Sequence, residues 1–172
     1  MTHVLGQPDQ FAIEFEIDQM NGGGQWLFGK FRYRAHGNSV GDFDMRTSLR
    51  DVLFGLYGIA KYRGRRDSDR FATAAAPEVY DLLDRCFFRG LDEPTRKLSV
   101  EEEWARHRVL PSVDVFDDWM AYLVETPTAG RFICKHKDGP LVEHSIPRGG
   151  FDEALMQAIN ALDVELANAG NG

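Results

Sequence analysis

Large apolar residues alternate with polar ones near the start of the chain. In residues 11–18 every second position from Phe11 is Phe or Ile, and three of the other four positions are acidic. A period of two predicts a half-buried strand. Asn21 and the three glycines after it predict a tight turn, and Trp26 opens a second strand over residues 26–35. After a further turn, residues 40–43 predict the third strand of a meander.

Helical spacing then replaces the alternation. Thr47 or Ser48 can cap a helix that runs to residue 62, with apolar residues three and four positions apart. Pro77 fits the first turn of a second helix that ends near Gly90. Ser99, followed by three glutamates, predicts a short capped helix with exposed acids in its first turn. Residues 152–167 predict a long amphipathic helix.

The remaining segments complete the fold prediction. Residues 63–70 are polar and charged, which predicts a surface loop. Strands are expected at residues 113–116 and 119–125, and a β-hairpin is expected at residues 131–146. The order of strands, helices, strands and a helix is typical of an α+β fold. We expect a single domain over residues 1–172, with a largely antiparallel sheet flanked by three main helices.

Composition excludes several classes of protein. The 172 residues carry a net charge of −7, which argues against nucleic-acid binding and favours basic partners. No stretch approaches the ~20 apolar residues of a membrane-spanning helix. No secretory signal is recognisable at the N-terminus, so a cytoplasmic location is expected. Cys86 and Cys134 are too few for a disulfide framework and are expected as free, packed thiols.

Three potential zinc ligands fall within the predicted hairpin. A three-residue loop, Asp138-Gly-Pro140, would pair Lys137 with Leu141 and Lys135 with Glu143. This register would place Cys134, His136 and His144 on one sheet face. No fourth ligand is apparent and the face is otherwise apolar. Core packing is therefore favoured over a metal site.

Carboxylate pairs offer a second possible chemistry. Glu14 and Glu16 share a strand face, as Asp42 and Asp44 would on a regular strand. A solvated strand face gives the same pattern, and we favour that reading. The chain contains no G-x-S-x-G, Walker A, H-E-x-x-H or C-x-x-C motif. Nothing in the sequence specifies a catalytic site, and we expect no enzyme.

Charge is distributed unevenly along the chain. Residues 46–70 hold seven basic and three acidic residues, whereas residues 92–118 hold eight acidic and four basic ones. The acidic stretch also contains Trp104 and Phe116, and Trp119 follows it directly. Acids around aromatic anchors would suit recognition of a basic protein. A solvated face over core aromatics remains the alternative interpretation.

Seven blocks of the sequence occur in an order that resembles a known family. They are Phe11-Ala-Ile-Glu-Phe-Glu-Ile17, Trp26-Leu-Phe-Gly-Lys-Phe31, Val40-Gly-Asp-Phe43, Thr47-Ser-Leu-Arg-Asp-Val52, Glu103-Trp104, Val113-Asp-Val-Phe-Asp117 and Gly150-Phe-Asp-Glu153. Together they resemble the immunity 42 family of bacterial polymorphic toxin systems. The chain departs from the family pattern at Arg32 and Arg34, and its 63–70 loop is more basic than usual.

The resemblance implies a cytosolic protein without catalysis that binds a cognate toxin and covers its active site. An acidic chain fits a basic toxin. The local negative charge beside the tryptophans indicates where the toxin would bind, and the expected exposed contact residues are Glu101, Glu102, Glu103, Trp104, Asp114, Asp117 and Asp118. A small metal-dependent enzyme, or a scaffold that binds a small ligand in its sheet, remains an alternative. No cofactor is expected.

Overall fold

The computed structural model describes residues 1–18, 27–88 and 92–170. The predicted Asn21 turn, Trp26 and the helix end near Gly90 lie outside these residues. The strands are β1 (Thr2–Gln7), β2 (Phe11–Ile17), β3 (Phe28–Ala35), β4 (Asn38–Val40), β5 (Thr47–Ser48), β6 (Trp119–Glu125), β7 (Ala129–His136) and β8 (Leu141–Pro147). The helices are α1 (Leu49–Ala60), α2 (Asp69–Thr73), α3 (Ala76–Phe88), α4 (Glu93–Glu101) and α5 (Gly150–Gly170), with short 3-10 turns at Trp104–Arg106 and Asp114–Phe116.

The first sheet contains the predicted meander and an additional edge strand. β1, β2, β3 and β4 pair in that order, all antiparallel, and β5 also pairs with β3. The alternation in β2 sets the register, so that Phe15 lies opposite Phe31 and both are buried. β1 was not predicted, because its inward positions include a polar residue, His3. That imidazole stacks on Phe15 with ring centroids 4.4 Å apart.

The second sheet contains β6, β7 and β8, also antiparallel. The α+β class is therefore confirmed, but the strands form two sheets where one was expected. The strand predicted at residues 113–116 is wrong, since Asp114–Phe116 is a 3-10 turn. Val115 and Phe116 are consecutive and both buried. A strand would have pointed these two side chains to opposite faces.

The β7–β8 hairpin differs in register from the prediction by two residues. Lys135 lies opposite Leu141, and Glu143 lies opposite Ile133, so the predicted Lys135–Glu143 pair is wrong. A shift of two residues leaves every side chain on its predicted face. Glu143 instead forms an ion pair with Arg131. The Arg131 guanidinium also donates to the Ala74 carbonyl at 2.8 Å, which ties the hairpin to the end of α2.

The helices confirm most of the predicted starts. Ser48 caps α1 by accepting the Asp51 N–H, as its position in the sequence indicated. The helix predicted to begin at Ser99 is wrong, because α4 begins after Asp92, whose carboxylate accepts the Thr95 N–H at 2.8 Å. The glutamates expected in a first turn therefore lie at a helix end. Among the described residues no helix is long and apolar enough to cross a membrane.

The second sheet lies between two hydrophobic clusters. One face, which includes Leu123, Phe132 and Cys134, packs with the first sheet, α1 and α5. The opposite face, which includes Tyr122 and Ile133, packs with residues of α2, α3 and α4. Both cysteines are free and buried, as expected. The helices that contact the first sheet most extensively are α1 and α5.

The most unexpected buried side chain is Arg66, which is 1 % exposed although residues 63–70 were predicted as a surface loop. Its guanidinium pairs with the Asp152 carboxylate at the start of α5. It also donates to the carbonyls of Ile59 at 2.8 Å and Arg106 at 2.9 Å. The Arg66 carbonyl accepts the Glu125 N–H of β6. One residue thus connects α1, the 3-10 turn before His107, α5 and the second sheet.

The segment after that turn is bound to the edge of β6. Leu123 N–H donates to the His107 carbonyl at 2.8 Å, and Val109 N–H donates to the Ala121 carbonyl at 3.3 Å. The His107 ring is fully buried, and its Nδ1 lies 2.9 Å from the Leu123 carbonyl. A carbonyl only accepts, so Nδ1 carries the hydrogen. Burial, reinforced by Arg106, lowers the pKa of His107 to about 4.

Replacing Arg66 by Met is expected to lower the free energy of unfolding by about 3 to 5 kcal/mol, because Asp152 keeps a buried charge without its partner. Urea denaturation measures this loss. Combining R66M with D152N should recover part of the lost stability, because the unpaired charge is then removed. The control Arg63→Met, at a neighbouring exposed position, should change the free energy of unfolding by less than about 0.5 kcal/mol. Equal stability of R66M and R63M would contradict a central role for the buried pair.

Acidification is expected to destabilise the protein through His107. Its folded pKa of about 4 lies below the unfolded value of about 6.5, so the unfolded state binds the proton more readily. Stability present above pH 6.5 is therefore lost as the pH falls towards 4. Between pH 7 and pH 5 the loss should be about 2 kcal/mol.

The control for this pH effect is His107→Gln, measured by urea denaturation at both pH values. Glu125, whose pKa burial raises, titrates in both proteins and its contribution cancels in the comparison. The variant should be less stable at pH 7 but should lose less stability on acidification. An identical pH dependence in the two proteins would show that His107 is not the responsible group.

Candidate functional site

The oppositely charged stretches of the sequence lie against each other. Arg65 pairs with Glu103 at 2.8 Å, and Arg70 pairs with Glu101 at 3.5 Å and with Glu102 at 3.4 Å. The basic 63–70 segment therefore neutralises the acids at the end of α4. Exposed ion pairs of this kind contribute little stability, but they remove the net charge that a partner would sense.

Glu102 is part of the internal structure. Its side chain is only 12 % exposed, and its carboxylate accepts the Ser68 hydroxyl at 2.8 Å and pairs with Arg106 at 3.2 Å. Ser68 in turn caps α2 by accepting the Phe71 N–H. The expectation that Glu102 is exposed is wrong, because α4 begins six residues before Ser99 and Glu102 lies at its end. Reversing the charge of Glu102 would disturb the fold as well as any interface.

Trp104 and Trp119 are both half-buried. The Trp104 ring meets Phe87 edge-on with centroids 5.4 Å apart, on the rim of the cluster beneath the second sheet. The Trp119 ring meets His136 edge-on at 5.0 Å. Each tryptophan therefore keeps part of its surface available while its other side packs on the protein. The two rings belong to different parts of the surface and do not form one anchor.

Three of the expected contact residues lie around the second 3-10 turn. Asp114 accepts the Thr47 hydroxyl at 2.7 Å, which joins the turn to the start of α1. Asp117 is exposed. Asp118 pairs with Lys137 at 2.8 Å, and this contact raises the pKa of the Lys137 ammonium. These aspartates are separated from the neutralised glutamates, so the seven expected residues do not form one patch.

Two further aspartates join this turn from a distant part of the sequence. Asp42 N–H donates to the Val115 carbonyl at 2.9 Å, which places the turn with Asp42 and Asp44 beside the 3-10 turn. Both side chains are exposed. β4 is Asn38–Val40, so the strand predicted at residues 40–43 starts and ends too late, and the two acids do not share a strand face. The resulting surface, here called the acidic surface, comprises Asp42, Asp44, Asp114, Asp117 and Asp118.

The other carboxylate pair is neutralised by its neighbours. Glu14, expected on a solvated face, has a side chain only 8 % exposed and pairs with Arg32 at 2.9 Å and Arg34 at 3.6 Å. Glu16 pairs with Lys30 at 3.7 Å. These contacts explain the basic residues at positions 32 and 34 as cross-strand partners. An ion pair on each carboxylate leaves no free acid–base couple here.

The three potential zinc ligands share a sheet face, as expected, but each has other neighbours. Cys134 is 3 % exposed, and burial raises the pKa of its thiol to about 11. His136 contacts Trp119, and His144 stacks on His36 with ring centroids 5.4 Å apart. Burial, with a contribution from His36, lowers the pKa of His144. In the described part of the chain no three His, Cys, Asp or Glu residues are placed to hold a metal ion.

Comparisons with known proteins agree with this fold. The structure is similar to the crystal structure of CdiI from Burkholderia dolosa AUO158, with a TM-score of 0.67 over 92 % of this chain and 99 % of that one. The two sequences are 17 % identical, so this likeness shows the fold alone. No curated protein matches the sequence.

The family assignment rests on the sequence itself. The family model described as Immunity protein 42 matches residues 1–161, which is most of the chain. The match includes both sheets, the neutralised charge pairs and the acidic surface. The resemblance found in the sequence blocks is thereby confirmed, and so is an immunity role in a toxin system. The chain belongs to the immunity protein 42 family.

Proposed function

We propose that this protein is a cytosolic, non-enzymatic inhibitor that binds its cognate toxin through the acidic surface and covers the toxin's active site. Family membership supports the immunity role. The acidic surface is the observation that supports the place of binding. It brings five exposed aspartates together from two segments of the chain, and among the described residues Lys137 is the one cation that pairs with them.

The charge of this surface defines the partner it fits. Aspartates without a cationic partner leave a negative field in solution, which attracts a basic protein and speeds the encounter. A toxin that acts on a polyanion must itself be basic at its active site. An acidic surface could therefore cover that site by charge complementarity, as oppositely charged patches do in other inhibitor complexes.

The expected contact residues contribute unequally to this proposal. Asp114, Asp117 and Asp118 belong to the acidic surface. Glu103 is paired with Arg65, and the Trp104 ring packs on Phe87. Glu101 is paired with Arg70, and Glu102 is mostly internal. In the described residues no observation favours the metal-dependent enzyme or the small-ligand scaffold.

The test uses a double variant, Asp44→Lys with Asp117→Lys. Both side chains are exposed, and neither carboxylate forms a hydrogen bond or ion pair within the described residues whose loss would disturb the fold. The partner is the C-terminal toxin domain encoded by the neighbouring gene. We expect its association rate, measured by biolayer interferometry at low salt, to fall by about tenfold or more, and the difference to shrink at high salt.

A matched control changes the same net charge elsewhere. Asp9→Lys, Gln157→Lys and Asn160→Lys together alter exposed positions outside the acidic surface. This triple variant should associate within about threefold of the wild-type rate, because steering depends on local charge. An unchanged rate in the folded double variant would place the interface elsewhere. If the wild-type protein neither binds the toxin domain nor protects cells that produce it, the proposed function is wrong.

A further inference from the structure

An open groove of about 450 Å³ lies between α1 and the segment that leads to the acidic surface. One wall is formed by α1 residues, and the opposite wall by the chain from Trp104 to Ser112. The lining side chains that matter here are Phe54, Tyr62, Trp104, Arg108 and Pro111. Three aromatic rings thus border a space that no element of the described chain fills.

Two glycines of α1 give the groove its shape. A Cβ atom at Gly55 would stand 2.5 Å from the Pro111 Cβ, so this glycine permits the close approach of α1 to the opposite wall. A Cβ atom at Gly58 would have no heavy atom within 4 Å apart from those of its chain neighbours and its own helix backbone. Gly58 therefore leaves an open position on the helix where any other residue would occupy the groove.

The exposed aromatic surface here is larger than folding requires. Phe54 is 61 % exposed, with the Arg50 guanidinium 5.7 Å from its ring centroid. Phe54 lines the same groove as Tyr62 and Trp104, and a contiguous apolar patch of this kind is typical of a protein interaction site. The Arg108 guanidinium packs 4.1 Å over the Phe87 ring and donates to the Ser112 hydroxyl, which holds the opposite wall in place.

Charge at the ends of α1 indicates the chemistry of the occupant. Arg50 precedes the groove, and Lys61 and Arg63 follow it. All three are exposed, and none forms an ion pair within the described residues. The cations Arg65 and Arg70 nearby are already paired with glutamates. The lining of the groove is largely apolar but includes the acid Asp51, so the three unpaired cations outnumber one acid around it.

We propose that this groove receives a large apolar side chain of the cognate toxin, flanked on the toxin surface by acidic residues. The inference rests on the proposed function and adds a second contact to it. Pro111 and Ser112 line the groove, and Asp114 of the acidic surface follows two residues later. One partner can therefore cover both regions, with its apolar side chain in the groove and a basic region over the aspartates.

The decisive variant is Gly58→Leu, compared with Asn160→Leu on the exposed side of α5. Leucine at position 58 is compatible with the open space and is a better helix former than glycine, so the thermal unfolding midpoint should stay or rise. We expect the leucine to occupy the groove and weaken toxin binding about 30-fold or more, as loss of a buried anchor does. Asn160→Leu should leave the affinity within about twofold of the wild type.

Two more variants keep the proposal testable if Gly58→Leu does not fold. Phe54→Ala removes one exposed aromatic side chain from the α1 wall of the groove and should weaken toxin binding about tenfold. Lys61→Glu with Arg63→Glu reverses the rim and should slow association, more at low salt than at high salt. Wild-type affinity in folded Gly58→Leu and Phe54→Ala would overturn the groove proposal, while loss of binding in Asp44→Lys with Asp117→Lys would still support the proposed function.

The alternative occupant is a second copy of this chain. Light scattering of the protein alone distinguishes the two cases. A monomeric wild type supports the toxin as the occupant. A wild-type dimer that Gly58→Leu converts to a monomer would assign the groove to self-association and overturn the proposal. If the wild type does not bind the toxin domain at all, the proposed function fails together with the groove contact.

Discussion

The buried guanidinium of Arg66 is the constraint on which the rest of the structure depends. It satisfies carbonyls of Ile59 and Arg106 and pairs with Asp152, while its own carbonyl accepts a hydrogen bond from β6. A buried guanidinium is tolerated only when its N–H donors find acceptors. This requirement fixes the relative positions of the end of α1, the start of α5 and the 3-10 turn before His107. The 63–70 segment is consequently an internal connector that happens to be rich in arginine.

That connector decides the distribution of charge on the surface. With Arg66 anchored inside, Arg65 and Arg70 face the glutamates at the end of α4 and pair with them. The net negative charge of residues 92–118 is therefore reduced at Glu101, Glu102 and Glu103. Around the second 3-10 turn Lys137 pairs with Asp118 and Lys135 lies nearby, but the other four aspartates of the acidic surface form no ion pair within the described residues. Electrostatic recognition depends on this local surplus, since opposite charges that are already paired attract a partner weakly.

The same segment connects the two regions proposed to contact the toxin. Hydrogen bonds of His107 and Val109 to β6 hold it against the second sheet. From there it forms one wall of the groove at Pro111 and reaches the acidic surface at Asp114, which is joined to Thr47. An apolar groove beside a charged surface combines two functions that interfaces need, because desolvated anchors provide affinity and charge speeds the encounter. A rigid backbone beneath both regions would lower the entropy cost of binding.

The sequence by itself determined the α+β class, the strands β2, β3, β6 and β7, and the three long helices, because apolar periodicity of two or of three to four is a local property. It also determined the family, through blocks whose order spans the chain, and the shared sheet face of Cys134, His136 and His144, which survives a two-residue shift in register. Tertiary structure decided the rest. The division into two sheets, the burial of Arg66, the pairing of Arg70 with Glu102 and the hydrogen bond of Asp42 to Val115 all join residues far apart in the sequence. Charged residues have no periodicity that reveals a distant partner, so whether a charge is buried, neutralised or free to act is decided only when the chain has folded.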